Sequence, residues 1–314
     1  MEEALYSHLG FFNTDQVRSD KEGDFLTSPE VSKYFGKIIR NWIHSESNLK
    51  NIIEIGSGTG SLIEQIGIKE ITAVELSSTA REELIKKGID THATIDELTT
   101  KTSDLIFGNE ILDNIPCSIG LYKDEGWYEK VVLLEENSLA YGLRPIRNKE
   151  LDWINKNNIV PNEDYEFEIQ VNIDKFLNSV IKKINPGKIL LFDYGYEQKN
   201  RDKRMYSSLL RTYKNHHLSV DPIDDPGNID ITYDVNFSSI SSELKYLGYD
   251  VTLKLQRDFL LDNGFNIFFD ELQEKYIAAE GIEKLKINSE LNGMKAIVDS
   301  NGLGGFYCLI AEKL

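Results

Sequence analysis

Cysteine is nearly absent from this 314-residue chain: Cys117 and Cys308 lie far apart and neither belongs to a C-x-x-C pair. A disulfide scaffold and a cysteine zinc site are therefore not expected, and a cytoplasmic, reducing setting is. Five scattered histidines add no metal-ligand spacing. Basic residues are outnumbered, 35 Lys and Arg against 52 Asp and Glu, for a net charge of −17. Nucleic-acid binding leans on Lys and Arg against phosphate, so that class is disfavoured. A cationic protein segment is the better electrostatic match, although acidity also serves solubility. No apolar run approaches the ~18 residues of a membrane span. Met1-Glu-Glu-Ala-Leu-Tyr6 has neither the basic start nor the apolar core of a leader, and no membrane insertion is expected. Hydrophobic residues make up 40% of the chain, enough for one large α/β domain with insertions or for two domains.

The chain is arranged around Asn51-Ile-Ile-Glu-Ile-Gly-Ser-Gly-Thr-Gly-Ser-Leu62. Ile52 to Ile55 read as a strand, Gly56, Gly58 and Gly60 as a turn, and Ser61 to Ile66 as a helix. Alternate glycines allow positive φ and let backbone N–H groups approach a ligand where a Cβ would collide. The spacing G-x-G-x-G differs from that of dinucleotide and P-loop sites. With no Lys or Arg in the loop and Glu54 just before it, the site suits a cationic, amino-acid-bearing cofactor better than a pyrophosphate. Twenty residues on, Ile71-Thr-Ala-Val-Glu75 is a short strand ending in a carboxylate that can accept from both hydroxyls of a ribose. This pattern resembles the cofactor loop of S-adenosylmethionine-dependent methyltransferases. A tight strand-to-helix turn without a ligand is the plainer alternative for the glycines alone.

Along the chain, Leu5, Leu9 and Phe12 have the spacing of one helix face. Ser28 is placed to cap, and Pro29 to open, a helix through Val31, Tyr34, Phe35, Ile38, Ile39 and Trp42. Residues 79 to 87 read as a helix and Ile89 to Ala93 as a third strand; Asp96 after it could cap a helix or face an adenine. Ser103 to Phe107 is a fourth strand, and Asn109-Glu110-Ile-Leu-Asp113-Asn-Ile-Pro116 should follow it into the crevice beyond the strand ends. The pattern is β from Cys117 to Leu143 and loop-like from 144 to 163, with one weak helical stretch. Glu166 to Ile184 reads as a helix, turned at Pro186-Gly187 into a fifth strand ending at Asp193-Tyr194. Tyr249 to Gln256 and Phe306 to Ala311 complete the strands, with helices at 257 to 298.

These pieces resemble the MidA family, bacterial relatives of the mitochondrial complex I assembly factor 7 protein arginine methyltransferase. The matching segments are Thr27-Ser-Pro-Glu30 with the preceding Gly23-Asp-Phe-Leu and with Phe35-Gly36, the glycine loop, Asn109 to Pro116, Trp127-Tyr-Glu129, Asp193-Tyr-Gly195, His216, Pro226-Gly227, Asp230-Ile-Thr232, Val235-Asn-Phe237, and Gln256 with Phe259-Leu260. The family usually has Gly-Pro-Gly where Gly56-Ser57-Gly58 stands, and differs at Asn114 and Asp234, which bears on the substrate. The resemblance implies a doubly wound, mostly parallel seven-stranded α/β sheet of the class I methyltransferase type over residues 47–314. A helical segment is expected at 1–46, and substrate-side insertions at about 117–163 and 196–237.

The implied cofactor is S-adenosyl-L-methionine, held by Glu54, Gly56, Ser57, Gly58, Gly60, Glu75, Asn109 and Glu30. The implied acceptor is an arginine of a partner protein, a basic segment or a respiratory-complex subunit. A guanidinium cannot simply be deprotonated, so an enzyme acting on it must localise its charge. Two carboxylates accepting in-plane N–H bonds do so, and Glu110 and Asp113 would share a face if that segment opened a helix. Acids at a helix start also merely offset the dipole. Asp193 could serve the crevice or brace a loop, and His216 and Arg211 could move a proton or close a lid. A methyltransferase for small molecules, and a non-catalytic assembly factor that keeps the cofactor fold, remain rival readings.

Overall fold

The computed structural model describes residues 1–13, 27–46, 49–98, 103–136, 138–161, 163–203, 209–214, 217–218 and 221–313. Seven strands form the central sheet: β1 (Ile52–Ile55), β2 (Ile71–Val74), β3 (Thr91–His92), β4 (Ser103–Asn109), β5 (Ile184–Asp193), β6 (Asp250–Leu255) and β7 (Tyr307–Lys313). Their spatial order is β6-β7-β5-β4-β1-β2-β3, with only β7 antiparallel to its neighbours. The expected doubly wound, mostly parallel sheet is thus the observed one. Side chains alternate across it. Ile52, Ala73, Leu105, Phe107 and Phe192 face one core with the helices Tyr34–Ser45 and Gly281–Val298, while Ile53, Val74, Ile106, Leu191 and Leu309 face the other with Val171–Ile181 and Phe237–Tyr246. Both faces are covered, which is why these strands read as unbroken apolar runs.

The reversal of strand order falls between β1 and β4, where a doubly wound sheet opens a crevice beyond the strand ends. A separate antiparallel sheet is inserted after β4, made of residues 118–123, 126–135, 138–145 and 165–169. It has its own small core of Trp153, Ile154, Phe167 and Ile169, with Trp127 packed against it.

Four local expectations are corrected. Tyr165–Ile169 is a strand, paired with Ser118–Tyr122, and the helix starts only at Val171; Tyr165, Phe167 and Ile169 lie two apart, and that period places Phe167 and Ile169 in the inserted core. The cap at the start of Ser28–Val31 is Thr27, whose N–H donates to the Glu30 carboxylate at 2.8 Å, while the Ser28 hydroxyl turns inward to Gln256 at 3.2 Å. That helix does not run on: Ser32 is extended, and the next helix, Tyr34–Ser45, packs into the main core. At the N-terminus Leu5 and Phe11 are the buried hydrophobic side chains and Leu9 is exposed, because the helix stops at Tyr6. No described helix is long and apolar enough to cross a membrane.

Candidate active site

The glycine loop takes the conformation its sequence requires. Gly56, Gly58 and Gly60 have φ of +69°, +52° and +83°, a region that L side chains rarely enter. A Cβ on Gly56 would also come within 2.3 Å of Ile111 Cγ2. Gly60 serves another purpose than expected: it starts the helix Ser61–Ile66 and lies close to Leu84, off the cavity wall. The loop is tied to the end of β2 by Glu75, which accepts from Gly58 N–H on one oxygen and from Ser77 N–H on the other, both at 2.8 Å. Burial raises its pKa, and those two N–H donors hold it back.

Beyond the ends of β1, β2 and β4 lies a cavity of about 320 Å³, within the range of small-molecule sites. Glu30, Glu54, Glu75, Asn109 and Glu110 line it together with Gly56, Ser57 and Gly58. All the expected cofactor residues except Gly60 therefore meet in one place. Asp96 is not among them: it is exposed, in the turn Ile95–Glu97 that Thr94 begins. Glu54 is buried, and burial raises its pKa well above the ordinary carboxylate range, with the Glu75 charge adding to the rise. Its Oε2 and the Oδ1 of Asn109 are buried acceptors without a hydrogen-bond partner. Such atoms are costly unless a donor arrives, and the ammonium and hydroxyl groups of an amino-acid-bearing nucleoside are donors of the right kind.

The segment after β4 is not the helix start that would set Glu110 and Asp113 on one face. Glu110 has φ +53° and the chain turns at once. Glu110 faces the cavity, accepting on Oε1 from Asn109 Nδ2 at 3.0 Å and from Ser28 N–H at 3.3 Å. Asp113 points behind the wall, where the Tyr194 hydroxyl donates to it. Asp193, fully buried, also stays off the wall. It accepts from Leu112 N–H (2.8 Å), Asp113 N–H (3.3 Å) and Tyr194 N–H (2.9 Å), so it braces the turn that presents Glu110. The Glu110–Asp113 pair is therefore not formed; of the four acids that line the cavity, Glu54 and Glu75 stand at the glycine loop, and Glu110 and Glu30 take the place of the expected pair.

Arg211 does not form a lid. It is buried, paired with Asp234 at 2.9 Å, and lies over the Tyr194 ring at 4.9 Å. His216 lies outside the described residues. Burial, with the Asp113 charge next, pushes Glu110 up to about 8. Asp113 rises to about 6, also by burial, with Tyr194 and Arg211 working against the rise. Asp193 rises well above its ordinary range through burial and the charges of Asp113 and Glu110. The sequence did not single out Tyr6, Ile95 or Phe176 for the site, and they form part of its apolar wall. They come from three separate segments, and no spacing could have joined them.

A doubly wound sheet with a glycine loop after β1, an acid after β2 and unpartnered acceptors between them defines an S-adenosyl-L-methionine-binding methyltransferase. The profile of a family described as S-adenosyl-L-methionine-dependent methyltransferases matches residues 36–252. The chain belongs to that family, in keeping with its resemblance to MidA proteins. Among curated proteins it is similar to the mitochondrial protein arginine methyltransferase NDUFAF7 homolog of Caenorhabditis elegans, 26% identical over 303 residues, covering 83% of this chain and 70% of that one. The Drosophila melanogaster homolog is 24% identical over 272 residues, covering 70% of this chain but only 60% of its own length. Among solved structures, a Burkholderia thailandensis protein bound to S-adenosyl-homocysteine superposes with a TM-score of 0.85 at 22% identity, covering 99% of this chain and 86% of that one. The last shows the shared fold.

Proposed function

We propose that this methyltransferase acts on a guanidino nitrogen of arginine in a basic segment of a partner protein. The observation that carries the reading is the placement of Glu110 and Glu30 on one recess beside the cofactor loop. The names of the curated relatives and the net charge of −17 support it.

S-adenosyl-L-methionine supplies a methyl group on a positively charged sulfur. The chain's residues do the rest. Glu54 and Asn109 offer acceptors to the amino-acid end, Glu75 offers its remaining lone pairs to the ribose, and the glycine loop lets the backbone come close. Both protein bonds to Glu110 fall on Oε1, so Oε2 is the oxygen left for a guest. Accepting an N–H in the guanidinium plane draws positive charge toward the carboxylates and leaves one nitrogen nucleophilic. A guanidino nitrogen that gains a methyl must lose a proton, and Glu110 Oε2, left without a protein partner, is the base that would take it. A group whose pKa lies near 8 is suited to a proton exchange close to neutrality.

The test is transfer of labelled methyl from S-adenosyl-L-methionine into the proteins of a source-cell lysate, followed by acid hydrolysis and amino-acid analysis. Label in methylated arginine supports the reading. Label confined to other side chains or to small molecules overturns it.

A further inference from the structure

The family profile begins at residue 36, yet one wall of the cavity comes from far ahead of it. Leu5 and Phe11 are fully buried and join Ile229 and Ile231 in a small separate core. This seats the helix Glu2–Tyr6 and the turn Phe11–Asn13 against the strand Asp230–Tyr233. With those side chains anchored, Tyr6 and Phe12 face the cavity and stack on each other, ring centroids 5.5 Å apart and planes 22° from parallel. The Tyr6 hydroxyl donates to the Asn114 carbonyl at 3.1 Å, which ties the N-terminal segment to the turn after β4. Val74, Ala93 and Ile95 line the same cavity from the ends of β2 and β3, where Glu75 stands ready for a ribose.

We propose that Tyr6 and Phe12 are cofactor-binding residues, a stacked aromatic pair that covers the adenosyl end of S-adenosyl-L-methionine and shuts water out. A purine ring presents a π face that an aromatic pair can stack on, and aliphatic side chains from β2 and β3 supply the opposite surface. Burial first, then the charges of Asp113, Asp230 and Glu75, push the Tyr6 hydroxyl up. The inference rests on the cofactor assignment and is independent of which group accepts the methyl.

The experiment is calorimetric titration of the full chain with S-adenosylhomocysteine and, separately, with 5′-methylthioadenosine, which lacks the amino-acid end. Tyr6→Leu and Phe12→Leu should each weaken both ligands by the same factor, roughly tenfold, as loss of a base-stacking ring does. Tyr6→Phe, which keeps the ring, should stay within about fivefold of the native chain. Because a replacement at Tyr6 can disturb the N-terminal segment, the otherwise native chain carrying fluorotyrosine supplies a second readout: the Tyr6 fluorine resonance should shift on saturation with 5′-methylthioadenosine. Unchanged affinities together with an unmoved resonance overturn the proposal. So does a loss seen with S-adenosylhomocysteine alone, which would put the pair at the amino-acid end.

Discussion

At the residue scale the site is a set of acids gathered on one cavity wall, of which Glu54 is the one fully buried. Glu54 and Glu110 are both held toward the protonated form by burial, so a ligand bearing an ammonium or guanidinium must displace a proton on binding. For Glu54 the sign is that the free protein holds the proton and the complex does not; S-adenosylhomocysteine affinity should therefore rise with pH and binding should release protons. Calorimetry in buffers of different ionisation enthalpy measures that release, and Glu54→Gln should abolish it while weakening affinity about tenfold or more, as expected for a lost charge-assisted bond. For Glu110 the proposed role as base requires the carboxylate. At saturating cofactor, kcat/KM should climb with pH through a limb at or below about 8, since the bound sulfonium favours ionisation. Glu110 also keeps a left-handed backbone, φ +53°, in a place where side chains other than glycine are uncommon. Such strain persists only where surrounding structure dictates it.

At the element scale that structure is the brace behind the turn. Asp193 closes β5 by accepting three backbone N–H groups, Tyr233 donates its hydroxyl to the Leu112 carbonyl at 3.0 Å, and Asn114 reaches Asp230 at 2.9 Å. The described part of the later insertion, expected as a substrate face, thus grips the turn from behind. Asp193→Ala should leave buried N–H groups without acceptors and cost about 2 to 4 kcal/mol in urea unfolding. Gly195→Ala should also destabilise strongly, because its Cβ would meet the Val235 carbonyl oxygen at 2.1 Å, and thermal melting checks it. The strands and the glycine loop were legible because short apolar runs and glycine spacing are local signals. The strand at Tyr165–Ile169 was not: the sequence from Glu166 to Ile184 reads as one helix, and only pairing with Ser118–Tyr122 fixes the strand. The Glu110–Asp113 pair failed for the same reason, since i and i+3 share a face only in a helix, and partners 80 residues away turn the chain instead.

At the scale of the whole molecule, the buried acids make the ligand-free protein a compromise between stability and function. Groups whose pKa is raised on folding stabilise fully below their unfolded values, and that stability is lost as pH rises through the folded ones. Asp113 at about 6 and Glu110 at about 8 set the window. The urea midpoint of the ligand-free chain should therefore fall between about pH 5 and pH 8, each group contributing at most about 1.4 kcal/mol per pH unit. Glu110→Gln should flatten the upper part of that slope. The net charge of −17 should steer a basic partner, so kcat/KM for a protein substrate should fall several-fold as salt rises from about 50 to about 300 mM. The central claim, an acid-lined recess that prepares a guanidinium for methylation, is tested most directly by comparing methyl transfer to arginine in lysate proteins by the native chain and by Glu110→Gln, with S-adenosylhomocysteine affinity measured on both. Loss of arginine methylation by about a hundredfold or more at an affinity within a few-fold of native is the predicted result; undiminished arginine methylation by the Glu110 variant would contradict it.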